Sequence, residues 1–204
     1  MNQEKYTFED LLEITRRLCS PDGCPWDSAQ THKTLRRFAI EEAYELVDAI
    51  ETGVPQAIAD ESGDLLFQVV LNACLAERNG EYTIDDVTDA ISKKMLRRHP
   101  AVFGLDGPKD WDAIKRVEKQ LNSIEDELND IPNSLPALLR AEKYQKKLSK
   151  AGCVANCDTE DRELQKGKQL FDLVAACRHE GICPELALHR YLSTIKAKEI
   201  KTCD

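Results

Sequence analysis

Five acidic residues recur at helical spacing in the first third of the chain. Glu41, Glu42 and Glu45 follow the pattern E-E-x-x-E, and Glu61 and Asp64 follow E-x-x-D. Because residues three or four apart share one face of a helix, each group is expected to present its carboxylates together. Oxygen ligands at this density favour Mg²⁺ or Mn²⁺ over zinc. The spacing therefore indicates a divalent-cation site, and the alternative is that the acids are the solvated faces of two amphipathic helices.

Two helices must position these acids. Apolar periodicity predicts one helix over 34–52, and a second that starts near Pro55 and stops at Gly80. The gap between them contains Gly53 and is short enough to fold the helices back against each other. The two acidic groups are then expected to face one another across a helical hairpin.

The second of these helices is expected to be largely buried, because apolar residues cover most of its circumference between 65 and 74. A polar stripe interrupts this surface at Glu61, Asp64, Gln68 and Asn72. A stripe that begins in carboxylates and continues in amides is typical of a site lined by the inside of a bundle.

Cationic and aromatic residues that could bind a phosphorylated ligand follow the acidic residues along the sequence. Lys94 and Arg98 are four residues apart, and so are Trp111 and Lys115. Arginine and lysine bind phosphate, and Trp111 or Trp26 can stack on any base. The alternative for each residue taken singly is an ordinary surface cation or a core tryptophan.

Helical signals dominate the rest of the chain, and period-two alternation is absent. Thr7 with Asp10 and Thr83 with Asp86 are plausible capping pairs. The segment 19–27 is too rich in Pro and Gly for regular structure. Further helices are predicted over 111–128, 137–150, 163–180 and 184–201. The fold class is therefore all-α, an antiparallel helical bundle.

Composition narrows the function classes. The chain has 204 residues, a net charge of −9 and no long apolar run. This composition argues against a membrane protein, a secreted protein and a nucleic-acid-binding protein, so we expect a cytoplasmic location. The eight cysteines are interpreted as reduced thiols rather than as disulfides or a zinc site.

Charge and a short repeat divide the chain. Residues 1–130 hold 15 basic and 27 acidic residues, whereas residues 131–204 hold 13 basic and 10 acidic residues. The sequence G-D-L-L-F at 63–67 recurs as G-K-Q-L-F at 167–171. The match fits a duplicated helical unit whose second copy has eroded, and the alternative is a chance resemblance between two helices.

Four motifs together resemble one family. These are EEAYE and ESGD around the acids, CPWDSAQT at 24–31, GDLLFQVV at 63–70 and RRHPAVF at 97–103. They are similar to MazG, a family of nucleoside triphosphate pyrophosphohydrolases within the all-α NTP pyrophosphatase superfamily. The resemblance covers residues 8–120, and the stretch 130–147 is similar to the segment between the two domains of longer members.

The resemblance implies an Mg²⁺-dependent enzyme that cleaves nucleoside triphosphates between the α and β phosphates and controls the nucleotide pool. It also implies a homodimer in which helices of two subunits surround the site. Carried over by position, the resemblance implies that the metal ligands are Glu42, Glu45, Glu61 and Asp64 and that Glu41 orients or deprotonates water. It further implies that Lys94 and Arg98 contact phosphate and that the nucleotide contacts are Trp111, Lys115 and Trp26.

The last part of the chain departs from the longer members of that family. Gln165 and Lys168 stand where a second domain would have its Glu and Asp. We therefore expect a catalytic domain over 1–129, a linker helix over 130–152 and a shortened, degenerate second helical unit over 153–204.

Two other functions remain open, a nucleotide-binding regulatory protein with weak or no hydrolysis and a phosphoribosyl-ATP pyrophosphohydrolase.

Overall fold

The computed structural model describes residues 5–104, 106, 110–155 and 159–198 of the chain. Within these ranges it contains eleven α-helices and no strand, which confirms the all-α prediction. The helices form two compact units, residues 1–104 and 105–204. The domain limits expected from the sequence, after residues 129 and 152, stay a prediction. Among the described helices, none has both the length and the hydropathy to cross a membrane.

The first unit is organised around a long helical hairpin. Helices α3 and α4 pack against each other along this hairpin, and both α1 and α5 pack against α4. The six helices of the unit are α1 (Phe8–Cys19), α2 (Pro25–Ser28), α3 (His32–Thr52), α4 (Pro55–Asn79), α5 (Ile84–Arg98) and α6 (Pro100–Phe103).

Local sequence signals set the helix ends of this unit. The Thr7 hydroxyl accepts a hydrogen bond from the Asp10 backbone N–H at 3.2 Å, and the Asp10 carboxylate accepts one from the Thr7 backbone N–H at 2.7 Å. Thr83 and Asp86 form the same reciprocal capping box at the start of α5. Both predicted capping pairs are confirmed.

The segment 19–27 is more regular than its composition predicts. Pro25 opens the one-turn helix α2, because its fixed φ suits a first helical position. Gly23 makes the preceding turn possible: a Cβ at this position would lie 2.2 Å from the Arg17 carbonyl oxygen. The prediction of an entirely irregular segment is therefore wrong at its C-terminal end.

The core of the first unit lies around the second half of α4. Val70, Leu71 and Leu75 are buried there, together with Leu35 of α3 and Ile84 of α5. The face of α4 that carries Leu66 and Val69 is open instead, since these residues are 41% and 43% exposed. The prediction that α4 is largely buried is therefore correct only in part: most of the helix is buried between residues 70 and 76, and residues of α1 and α5 pack against it.

The second unit begins with two short helices where the sequence predicts one. Helix α7 (Trp111–Lys119) ends at Gln120, which has a left-handed backbone (φ 54°). Ser123 and Asp126 then form a capping box that starts α8 (Ile124–Asn129). The prediction of one continuous helix over 111–128 is therefore wrong. The capping box satisfies the backbone N–H groups at the start of α8, so a new helix begins there.

Three longer helices complete the second unit: α9 (Ala137–Lys150), α10 (Arg162–His179) and α11 (Pro184–Lys198). Helix α9 packs against α8, α10 and α11. Val174 of α10 is buried, whereas Leu170 is 58% exposed. Lys168 forms an ion pair with Asp172 of its own helix at 2.9 Å. The degenerate second repeat stays a prediction, and residues 199–201 of the last predicted helix lie outside the described residues.

Candidate active site

The turn between α3 and α4 aligns the acidic residues. Only Gly53 and Val54 separate the two helices, and the left-handed backbone of Gly53 (φ 67°) permits a turn this tight. Glu45 precedes the turn by about the same number of residues as Glu61 follows it. Because the helices run antiparallel, this near symmetry places the two residues opposite each other.

Three carboxylates meet across the hairpin. One oxygen from each of Glu42, Glu45 and Glu61 lies within 4.8 Å of the others, and we name these three residues the carboxylate cluster. Glu42 and Glu61 are half-buried, and Glu45 is exposed. The Oε2 atom of Glu61 is buried and has no hydrogen-bond partner among the described residues. A buried oxygen without a donor is costly, so this atom is suited to a cation or another donor from outside the chain.

The shifted pKa values of the carboxylate cluster also indicate a site that suits a cation. Burial raises the pKa of Glu42, and the negative charge of Asp64, followed by Glu45 and Glu41, raises it further. Burial, then Glu45 and Asp64, raise the pKa of Glu61. A raised carboxyl pKa means that the charged form is destabilised, and none of the groups that shift these two pKa values is a cation.

Asp64 and Glu41 lie at the edge of this cluster. Both are exposed, and neither belongs to the group of three whose oxygens meet. Asp64 is nevertheless close enough to raise the pKa of both Glu42 and Glu61. The structure thus brings together three of the four predicted metal ligands, and the roles of all five acids stay predictions.

The donor set suits a hard divalent cation. The cluster offers carboxylate oxygens alone, from side chains on two helices. Mg²⁺ and Mn²⁺ prefer such ligands, whereas zinc sites use histidine and cysteine far more often. The cluster can therefore hold a metal ion.

The predicted phosphate-binding cations lie on α5 of the same unit. Lys94 and Arg98 are both half-buried and one helical turn apart. Helix α5 packs against α4, which carries Glu61. The assignment of the two cations to phosphate stays a prediction.

The predicted stacking residues both expose part of their rings. Trp26 of α2 is 50% exposed and contacts Phe38 edge-on, with ring centroids 5.4 Å apart. Trp111, the first residue of α7, is 39% exposed. Each ring has surface available to a base, and neither is a core tryptophan.

Lys115 has a partner that the sequence reasoning missed. Its Nζ lies 3.4 Å from a carboxylate oxygen of Asp130, which also pairs with Lys119. Burial lowers the pKa of Lys115, while Asp130 opposes that shift. The helix break at Gln120 separates Asp130 from α7, so no helical spacing in the sequence could have revealed the contact.

A histidine that the sequence reasoning also missed ties α3 to α4. The Nδ1 atom of His32 lies 2.9 Å from Asn72 Oδ1, and its Nε2 atom lies 3.1 Å from Glu81 Oε2. The hydrogen bonds to Asn72 and then Glu81 raise the pKa of His32. Asn72 donates to the Gln68 carbonyl oxygen at 2.8 Å. Asn72 of the polar stripe thus helps to hold α3 and α4 together.

Similarity to known proteins matches this architecture. The MazG nucleotide pyrophosphohydrolase domain matches residues 30–103, which include α3, α4 and α5. The nucleoside triphosphate pyrophosphohydrolase/pyrophosphatase MazG of Thermotoga maritima is 35% identical over 93% of this chain and 83% of its own length. The chain belongs to the MazG family. The nucleoside triphosphate pyrophosphohydrolase of Escherichia coli K12 is 36% identical over the same shares.

The family match separates the predicted residues into two groups. The carboxylate cluster, Lys94 and Arg98 all lie within the matched MazG domain. Trp26 lies before its start, and Trp111 and Lys115 lie after its end, in the second unit.

The related pyrophosphohydrolase of Mycobacterium tuberculosis is 39% identical over 65% of this chain and 42% of its own length. The matched domain and the relatives from Thermotoga maritima and Escherichia coli identify this MazG-family chain as a nucleoside triphosphate pyrophosphohydrolase, a hydrolase.

Proposed function

We propose that this MazG-family chain hydrolyses nucleoside triphosphates to nucleoside monophosphate and pyrophosphate with Mg²⁺, or Mn²⁺, in the cytoplasmic nucleotide pool. The carboxylate cluster carries the proposal, because three half-buried or exposed acids meet within 4.8 Å without a cation from the described chain. The printed names of the relatives from Thermotoga maritima and Escherichia coli support the same activity.

The metal ligands in this proposal are Glu42, Glu45, Glu61 and Asp64. The first three already meet, and Asp64 adds a fourth carboxylate at the edge of the cluster. A bound Mg²⁺ would neutralise phosphate charge and lower the pKa of the attacking water. The buried Oε2 of Glu61, which has no donor among the described residues, fits such a ligand.

Other residues then bind and orient the substrate. Glu41 neighbours the ligands and orients or deprotonates the attacking water. Lys94 and Arg98 offset the negative charge that develops on the phosphates. Trp111, Lys115 and Trp26 are assigned to the nucleotide on the family resemblance.

The chain is further proposed to act as a homodimer. Ile40, which precedes the acids of α3, is 59% exposed, and Leu66 and Val69 of α4 are 41% and 43% exposed. Packing these side chains against a second copy removes apolar surface from water, which contributes about 25 cal/mol per Å². Light scattering checks the proposal: wild type is expected to be a dimer, and Leu66→Glu is expected to shift it towards monomer.

Pyrophosphate release from a panel of nucleoside triphosphates tests the activity. Wild type is expected to need Mg²⁺ or Mn²⁺, and Glu61→Gln and Asp64→Asn are each expected to abolish turnover, because each keeps the side-chain shape but removes an anionic ligand. Circular dichroism should show unchanged helix content in both variants. Wild-type rates in either variant, or tight nucleotide binding without turnover in the parent chain, contradict the proposal; the second result favours a regulatory nucleotide-binding protein.

A further inference from the structure

The second unit contains a cavity rich in positive charge. Its volume is about 350 Å³, and it is lined by residues of α7, α8, the connection to α9 and α9 itself. Seven lysine and arginine side chains line it, against three carboxylates. This local excess of four positive charges stands in a chain whose net charge is −9. We name it the basic cavity.

The carboxylates of the basic cavity already have cationic partners. Glu127, which is buried, accepts a hydrogen bond from Arg116 Nε at 2.5 Å and from Lys147 Nζ at 2.9 Å. Asp112 pairs with Lys150. These acids are therefore engaged and do not offset the remaining cations.

Asp130 is engaged in the same way. Its carboxylate pairs with Lys119 and lies 3.4 Å from Lys115 Nζ. Two lysines thus share one carboxylate. Lys119 is itself one of the charges that lower the pKa of Lys115, which shows how closely the cations are packed.

Two further cations of the basic cavity have no anionic partner in the part of the chain that the structure describes. Lys143 and Lys146 both line it and form no ion pair with a described residue. They are three residues apart on α9, so they share one helix face. Like charges on one face destabilise the helix, and an external anion would remove that cost.

We propose that the basic cavity binds a condensed phosphate anion, either an inorganic diphosphate or triphosphate or the phosphate tail of a nucleotide. Such anions concentrate several negative charges in a small volume, which matches several lysines around one cavity. No aromatic side chain occurs among the described residues that line it. Without a stacking surface, the cavity recognises phosphate rather than a base.

The basic cavity does not depend on the carboxylate cluster. It shares only Lys115 with the residues assigned to the nucleotide, and the inference uses Lys143 and Lys146. Phosphate binding at the carboxylate cluster requires a divalent cation, because carboxylates repel phosphate. Phosphate binding at the basic cavity requires no divalent cation, because lysines attract phosphate. Binding measured in EDTA therefore reports on the basic cavity alone.

Titration calorimetry on the full chain in EDTA tests the inference, with inorganic triphosphate as the probe. We expect one site, and Lys143→Gln and Lys146→Gln are each expected to weaken it about tenfold, as for the loss of one charge-assisted hydrogen bond. Both lysines are exposed, so the variants should fold. Lys166→Gln removes the same charge from α10 of the same unit, outside the cavity, and should bind like the parent.

Two further probes identify the source of the phosphate. ATP that binds as tightly as triphosphate indicates that nucleotide tails are accepted, and weaker ATP binding indicates an inorganic anion; both results support the site. Three results overturn it: no binding of triphosphate, equal binding by the parent and the Lys143→Gln and Lys146→Gln variants, or tighter binding of a single-stranded oligonucleotide through the same two lysines.

Discussion

Replacing Glu42 with glutamine separates the charge of this side chain from its shape. Glu42 is half-buried on α3, and one of its carboxylate oxygens lies within 4.8 Å of oxygens from Glu45 and Glu61. Glutamine is about as good a helix former as glutamate, so α3 should be unaffected. The variant removes one negative charge from a cluster whose charges raise the pKa of Glu42.

The expected effect without metal is a gain in stability. Two unit charges 4.8 Å apart, the upper limit of the oxygen–oxygen separations in the cluster, repel by about 0.9 kcal/mol at the dielectric constant of water. Glu42 faces more than one such charge, but salt and solvent screen the partly exposed cluster, so we expect the variant to gain about 1 kcal/mol. For a chain of this size, that gain corresponds to a rise in Tm of about 2–4 °C.

The expected effect on activity has the opposite sign. Mutation of a residue that only orients a metal ligand typically lowers metal affinity or activity by about 10–100-fold. The loss of a ligand itself should therefore lower kcat/KM by at least about 100-fold. Added Mg²⁺ should raise the Tm of wild type, because a ligand that binds only the folded state stabilises it. It should raise the Tm of Glu42→Gln much less.

Thermal unfolding in EDTA and in Mg²⁺, together with pyrophosphate release, measures all three effects. Glu13→Gln removes one carboxylate from an exposed position on α1 and should leave Tm and turnover unchanged. A Glu42→Gln protein that is less stable than wild type in EDTA, or that retains wild-type turnover, refutes the assignment of Glu42 to a metal site.

Three further predictions concern other parts of the chain. Lys94→Ala and Arg98→Ala should lower kcat/KM for all nucleoside triphosphates by a similar factor, since the phosphates are common to them; a changed base preference contradicts this. Glu61→Gln should have no residual turnover, and residual turnover that disappears on deleting residues 153–204 places a second active site there. His32, whose pKa is raised above 6.5 by its hydrogen bonds, favours its charged form in the folded state. Its contribution to stability should be complete below pH 6.5 and lost as the pH rises through the raised pKa. Tm of wild type minus that of His32→Gln, followed against pH, checks this, and a difference that grows with pH contradicts it.

Local chemistry predicted most helix ends correctly. Pro55 begins α4, and the Thr7–Asp10 and Thr83–Asp86 boxes begin α1 and α5. These signals act within one helical turn, so they can be read without tertiary information. The break at Gln120 is not predicted, although the Ser123–Asp126 box that follows it is a signal of the same kind.

The sequence also predicted the hairpin that holds the candidate site. Glutamate spacing on α3 and a two-residue turn were enough to place Glu42 and Glu45 opposite Glu61. The motifs themselves, rather than composition or periodicity, indicated the MazG family, and the matched domain confirms it.

Only the tertiary structure decided which of these residues meet. It shows that α4 is mostly buried between residues 70 and 76 while Leu66 stays exposed, and that Asp64 lies at the edge of the carboxylate cluster. It also pairs Lys115 with Asp130 and lines the basic cavity with Lys143. Helix periodicity fixes which face a residue occupies but not which other helix covers that face. Contacts across a turn or between helices depend on how whole helices pack, and no local spacing in the sequence contains that information.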